Sequence, residues 1–177
     1  MTRLMTLVVG LLMLYGCSTA PRTDNEKAGL RDEVTASLSQ MGRMDTSLQN
    51  FLDNAHGYAV FPSVGKGGII IGGAWGQGEV YQGKILVGYS ELTQATIGFQ
   101  LGGQSYAQVI VFQTPEALAA FKSGNYTFSA NASAVALKSG AAAAAEYQNG
   151  VAIFTMPNGG AMFEASVGGQ KFSYLPK

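Results

Sequence analysis

The chain has 177 residues, with one cysteine and one histidine. A lone thiol excludes a disulfide framework within the chain, and one imidazole without a second soft ligand gives neither a zinc cluster nor a cysteine–histidine nucleophile pair. Charge is scarce too: Asp, Glu, Lys and Arg make up 12% of the residues and cancel to a formal net charge of zero. No nucleic-acid partner is expected, because domains that follow phosphates carry a clear basic excess. No Gly-x-Ser-x-Gly elbow occurs and no Gly-x-Gly-x-x-Gly opens a helix. The acids Glu79, Glu91, Glu116, Glu146 and Glu164 have no spacing that would bring them together, so solvated surface is expected for each. His56, at a predicted helix end, is expected to cap a carbonyl or fill a crevice. No cofactor and no metal are implied, and an enzyme is the least supported class.

What the chain does have begins at its N-terminus. Arg3 precedes a charge-free apolar run from Leu4 to Leu14, followed by Tyr15-Gly16-Cys17. Eleven residues are about half the ~20 that a spanning helix needs, so a cleaved export signal fits better than a transmembrane anchor. The layout resembles a bacterial lipoprotein signal, which implies a signal peptide over 1–16 and acylation of Cys17. Two or more acyl chains hold a protein firmly where one holds it reversibly. Ser18, and not Asp, follows the cysteine, which implies passage to the outer membrane. Residues 17–25 read as the lipidated N-terminus and a short polar tether. About 160 residues remain after the signal, enough for one domain with a sizeable core.

Leu30, Val34, Leu38, Met41, Met44, Leu48 and Leu52 recur at helical spacing and predict an amphipathic N-terminal stretch that packs on a sheet. Gly42 is expected to divide it into two helices, with Asp45 capping the second and Gly57 closing it in a left-handed conformation. Strand texture follows. Tyr58 to Phe61 ends at Pro62, and then come a glycine-dense stretch from Gly68 and β-rich segments at 84–89, 95–101 and 106–112. Glycines recurring inside strands predict bulges and tight curvature. Thr114, Pro115 and Glu116 have the form of a helix start, predicting a short helix to Phe121 that ends at Gly124. Alternating alanines from Tyr126 to Leu137 predict a strand with one small-residue face. Ala141 to Ala145 fits either a helical turn or a loop. Strands at 151–156, 161–167 and 171–174 are joined by turns at 157–160 and 168–169. The expected fold class is α+β: a curved, partly closed, mainly antiparallel, glycine-rich sheet with N-terminal helices and one short inserted helix.

Several separated segments agree in order with one family. Ala55-His-Gly-Tyr-Ala-Val-Phe-Pro62, Gly65-Lys-Gly-Gly68, the glycine-rich strands, Gln108-Val-Ile-Val-Phe112, the helix at 114–121 and the terminal strands resemble the SYLF domain family of lipid-binding proteins. The resemblance runs from about Leu30 to Tyr174 and implies a SYLF-like domain over 26–177. Eukaryotic members are associated with phosphoinositide membranes, fungal ones also with actin, and bacterial ones are often exported lipoproteins. An exported chain sets the actin role aside.

Within that frame Gly65, Lys66, Gly67 and Gly68 are the candidate lipid-binding residues. Successive amides in a glycine turn can form an anion-binding concavity and a lysine adds a point charge, which suits a phospholipid head. The alternative is that the glycines serve only a turn and Lys66 is solvated. A P-loop is disfavoured, since no glycine stands five before Gly65 and Gly67 stands where Ser or Thr is required. Arg31, Arg43 and Lys122 are candidate helpers. The expected function is a lipid-anchored envelope protein that binds anionic phospholipid headgroups without catalysis. Its partners would be the membrane, through acylated Cys17, and anionic phospholipid. The alternative is a structural lipoprotein that presents its glycine-rich sheet to an envelope protein. A membrane-spanning barrel is disfavoured by the predicted helices.

Overall fold

The computed structural model describes residues 21–68, 71–97, 104–159 and 167–177. The signal segment, Cys17, Glu164 and most of the strand expected at 161–167 lie outside the described residues. Helix α1 spans Asp24–Met44 and opens with a reciprocal capping box, in which Thr23 Oγ1 accepts from the Glu26 amide and Glu26 accepts from the Thr23 amide. It passes straight through Gly42, where an added Cβ would meet nothing within 4 Å. One glycine costs a helix about 1 kcal/mol, too little to break a long helix held by tertiary packing. The break falls instead at Asp45, whose backbone is extended, and α2 runs over Leu48–Asn54.

Among the described residues, eight strands form one sheet: β1 Gly57–Gly68, β2 Ile71–Gln82, β3 Ile85–Ile97, β4 Gln104–Phe112, β5 Tyr126–Thr127, β6 Val135–Ala136, β7 Val151–Pro157 and β8 Lys171–Pro176. The order is β5-β8-β3-β2-β1-β4-β7-β6, antiparallel throughout except for the parallel β6–β7 pair. Helix α3, Pro115–Lys122, is capped by Thr114 Oγ1 as its sequence predicts. Gly57 does not cap α2. It starts β1, so close to its neighbours that a Cβ would lie 2.5 Å from Tyr81 O and 2.8 Å from Leu118 Cδ2. Pro62 does not end the strand either: β1 continues through it with a bulge against both β2 and β4. A proline cannot donate to a ladder, and a bulge is how a central strand accommodates one. The long alanine-rich strand expected at 126–137 is two residue pairs, β5 and β6, on opposite edges of the sheet, and Ala142–Ala144 forms a 3-10 turn.

The sheet is curled into a half-barrel. In a flat sheet β1 and β8, three strand spacings apart, would stand roughly 14 Å from each other, yet the rings of Phe61 and Phe172 have centroids 5.7 Å apart. The inner face buries Phe61, Ile110, Phe112, Phe128 and Phe172, with Leu118 and Phe121 of α3 closing one end. The outer face packs Val60, Val109, Val111 and Phe154 under Leu30, Val34 and Met41 of α1 and Leu48 of α2. With apolar layers on both faces, β4 is buried at every position from Tyr106 to Phe112, which is why that segment reads as an apolar run broken only by Gln108 and not as an alternation.

Candidate lipid-binding site

Gly65 to Gly68 are strand and not turn. Lys66 pairs with Ala74 of β2 and Gln104 of β4, and Gly65 with Trp75 and Ser105. The backbone there belongs to ladders, so the expected cradle of free amides is replaced by a flat, side-chain-poor strand. The sheet period sets what Lys66 does. Residues two apart share a face, and both Val64 and the cross-strand partner Ala74 belong to the inner apolar layer. Lys66 therefore lies on the inner face, half-buried, at the end of the half-barrel away from α3. Among the described residues, no carboxylate lies in ion-pair contact with it.

This end of the inner face is polar. At the level of Lys66 a row runs across the sheet from Gln104 through Lys66 and Ala74 to Gln94, and Gln94 Nε2 donates to Gly168 O at 2.8 Å. Just below lie Tyr106, Gln108 and Gln170, all buried and joined by side-chain hydrogen bonds of 2.9 to 3.1 Å. Thr155, opposite Gln108 on β7, is wholly buried and its hydroxyl has no partner among the described residues. Such an orphan marks a place for a water or a ligand atom. Burial pushes the Tyr106 phenol up to about 12, against a smaller opposing effect of the hydrogen bond from Gln170. These polar residues are spread over four strands and a loop, and no local motif announces them.

The helper cations do not join Lys66. Arg31 lies on α1 over the outer face, its Nε 3.2 Å from Glu79 Oε1. Arg43 donates to Ser39 Oγ at 2.6 Å, and Lys122 stands 5.6 Å from the centroid of the Tyr174 ring at the α3 end. Glu79, expected on the surface, is fully buried and accepts from both Arg31 and the Tyr81 hydroxyl. Burial first, and then Glu79, raise the Tyr81 phenol well above its ordinary value, while the hydrogen bond from Arg31 to Glu79 raises the guanidinium. Pairing offsets the cost of a buried carboxylate, and α1 supplies that pair from a distance the local sequence does not reveal. His56 ties the α2–β1 junction, its amide donating to Phe112 O at 2.9 Å and its ring Nε2 3.5 Å from the Gln82 amide. No helix among the described residues is long and apolar enough to cross a membrane.

Residues 93–174, from within β3 to within β8, match the sequence model of the Ysc84 family, described as "Las17-binding protein actin regulator". Ysc84 is the SYLF domain. Residues 93–174 are thus similar to a SYLF segment. Over 154 residues the chain is also 27% identical to Beta cell expansion factor A of Aeromonas veronii, an alignment covering 86% of this chain and 59% of that protein. The chain thus spans about three fifths of the length of the relative it matches. The matched segment contributes Gln94, Gln104, Tyr106, Gln108, Thr155 and Gln170 to the polar end, whereas Lys66 comes from β1, outside it.

Proposed function

We propose that this protein is a non-catalytic, lipid-anchored module of the cell envelope that holds anionic phospholipid headgroups at the polar end of its half-barrel. SYLF membership supports a lipid-binding or actin-regulatory domain, and the lipoprotein-like N-terminus favours the first. The observation that carries the reading is Lys66, a cation on the inner rim with no ion-pair partner among the described residues, beside Gln104 and above the buried glutamine layer. The ammonium meets the phosphate as a point charge and the neutral amides beside it donate hydrogen bonds. Acylated Cys17 keeps the domain on the periplasmic face of the outer membrane, where headgroup binding becomes an intramolecular event.

Vesicle co-sedimentation of a form starting after Cys17 tests the headgroup. Acidic vesicles should retain more protein than neutral ones, with the difference lost in Lys66→Ala. Equal retention, or indifference to the substitution, ends this reading. Cys17→Ser tests the anchor separately and should move the protein from the membrane to the soluble envelope fraction.

One observation favours a protein partner instead. Trp75 is 46% exposed on the outer face, between Gly65 and Thr93, a flat patch of the kind that takes up a second surface. Cross-linking in intact cells giving a defined protein adduct that Trp75→Ala removes, without lipid selectivity, would establish it.

A further inference from the structure

The curl of the sheet brings its two edge strands to one cleft. Among the described residues, β5 pairs only with β8 and β6 only with β7, and no ladder joins β5 to β6. Tyr126 and Thr127 of β5 and Val135 of β6 line the two sides of a cleft of about 450 Å³, within the ~300–1,000 Å³ usual for small-molecule sites. Each edge strand is two residues long, too short to template an added peptide strand.

We infer that this cleft binds a short, uncharged saccharide, independently of any lipid site. The chemistry of its walls selects the class. Half-buried Tyr126 and buried Phe128, their rings at 83° with centroids 5.6 Å apart, form an apolar floor anchored in the core, against which the apolar face of a sugar ring can rest. Ser133, Glu146, Gln148 and Asn149 stand around the opening. Hydroxyl, carboxamide and carboxylate groups together offer donors and acceptors to ligand hydroxyls, each of which both gives and takes a hydrogen bond. Among the described residues, no lysine, arginine or histidine lines the cleft and the one formal charge is Glu146, so a phosphate is repelled here while it is attracted at Lys66. Gln148 and Asn149 are held in place by a tight hairpin: Asn149 and Gly150 both have positive φ, 52° and 76°, and Gln148 and Val151 bridge across them. The rim is thereby built before a ligand arrives.

Saturation-transfer NMR of the full domain with glucose, N-acetylglucosamine, cellobiose and N,N′-diacetylchitobiose tests the inference. Transfer to at least one of these sugars is expected, unaffected by inorganic phosphate. Ser133→Trp, which fills the cleft from an exposed position, should abolish it. Glu146→Ala should weaken it about tenfold, the loss of one good hydrogen bond. Both variants should keep wild-type vesicle binding and wild-type melting, which separates this site from the headgroup site. Absence of transfer to all four sugars, transfer that survives Ser133→Trp, or displacement by phosphate would each overturn the assignment.

Discussion

Gln108 and Gln170 bond each other reciprocally: Gln108 Nε2 donates to Gln170 Oε1 at 2.9 Å, and Gln170 Nε2 donates to Gln108 Oε1 at 3.1 Å. Gln108 sits on β4 and Gln170 just before β8, strands that a flat sheet would hold roughly 19 Å apart. The pair is therefore a clasp that exists only because the half-barrel closes. Gln170 also donates to the Tyr106 hydroxyl at 3.0 Å.

Removing one half of this clasp leaves buried amide atoms without partners. Gln170→Leu is expected to lower unfolding stability by about 2–4 kcal/mol, since it orphans the Gln108 carboxamide and strips the Tyr106 oxygen of a donor. Gln108→Leu should cost less, because Gln170 keeps Tyr106. The double variant should lose clearly less than the sum of the singles. Urea melts check this, and strict additivity would show that the glutamines are not coupled.

Tyr106 gives the protein an alkaline signature. Its phenol, near 10 in the unfolded chain, is raised to about 12 by burial. A group whose pKa is raised by folding contributes stability that is complete below the unfolded value and lost as pH climbs toward the folded one. Wild type should therefore lose on the order of 2 kcal/mol more than Tyr106→Phe between pH 10 and 12. Parallel denaturant midpoints for the two proteins across that window provide the comparison.

Asp45 has the opposite sign. Burial acts to raise its pKa, but hydrogen bonds from the Ala142 amide at 2.7 Å and from the Ser47 amide and hydroxyl outweigh it and hold the carboxyl below its ordinary value. The stabilisation is present above the unfolded pKa and disappears as pH falls through the depressed one. Asp45→Asn should cost about 1–3 kcal/mol at neutral pH, with the difference closing as pH falls below the ordinary carboxylate range. A gap that persists in acid would mean that packing and not charge fixes this corner.

Two glycines in the paired β1 and β2 strands should respond oppositely to one methyl group. At Gly78 an added Cβ would lie 2.5 Å from Val60 O and 2.7 Å from the Phe61 ring, whereas at Gly67 it would meet nothing within 4 Å. Gly78→Ala should destabilise by roughly 2–4 kcal/mol or prevent folding. Gly67→Ala should fall within about 0.5 kcal/mol of wild type. Thermal melts of both read the contrast directly.

Elements fixed by short-range chemistry were legible in the residues themselves. Thr114-Pro115 starts α3, the stripe of Leu30, Val34 and Met41 buries α1, and Gln108 to Phe112 forms a central strand. Caps, helical spacing and β-branched runs act within a few residues, and the glycine content already implied a bent sheet. Where tertiary contacts outbid a local preference, the residues misled: Gly42 did not break α1, Pro62 did not end β1, and Lys66 sits in a strand and not a glycine turn. Lys66 was visible as a cation among glycines, but the face it occupies depends on register. Three things were settled by closure of the sheet and the placement of α1 alone. One is the burial of Glu79 beneath Arg31, another the clasp of Gln108 with Gln170, and the third the meeting of β5 and β6 at one cleft. The first two join residues 48 and 62 positions apart, and the third sets two short segments, close in sequence, on opposite edges of the sheet; placements of that kind follow from the geometry of a curled sheet, which no local pattern encodes.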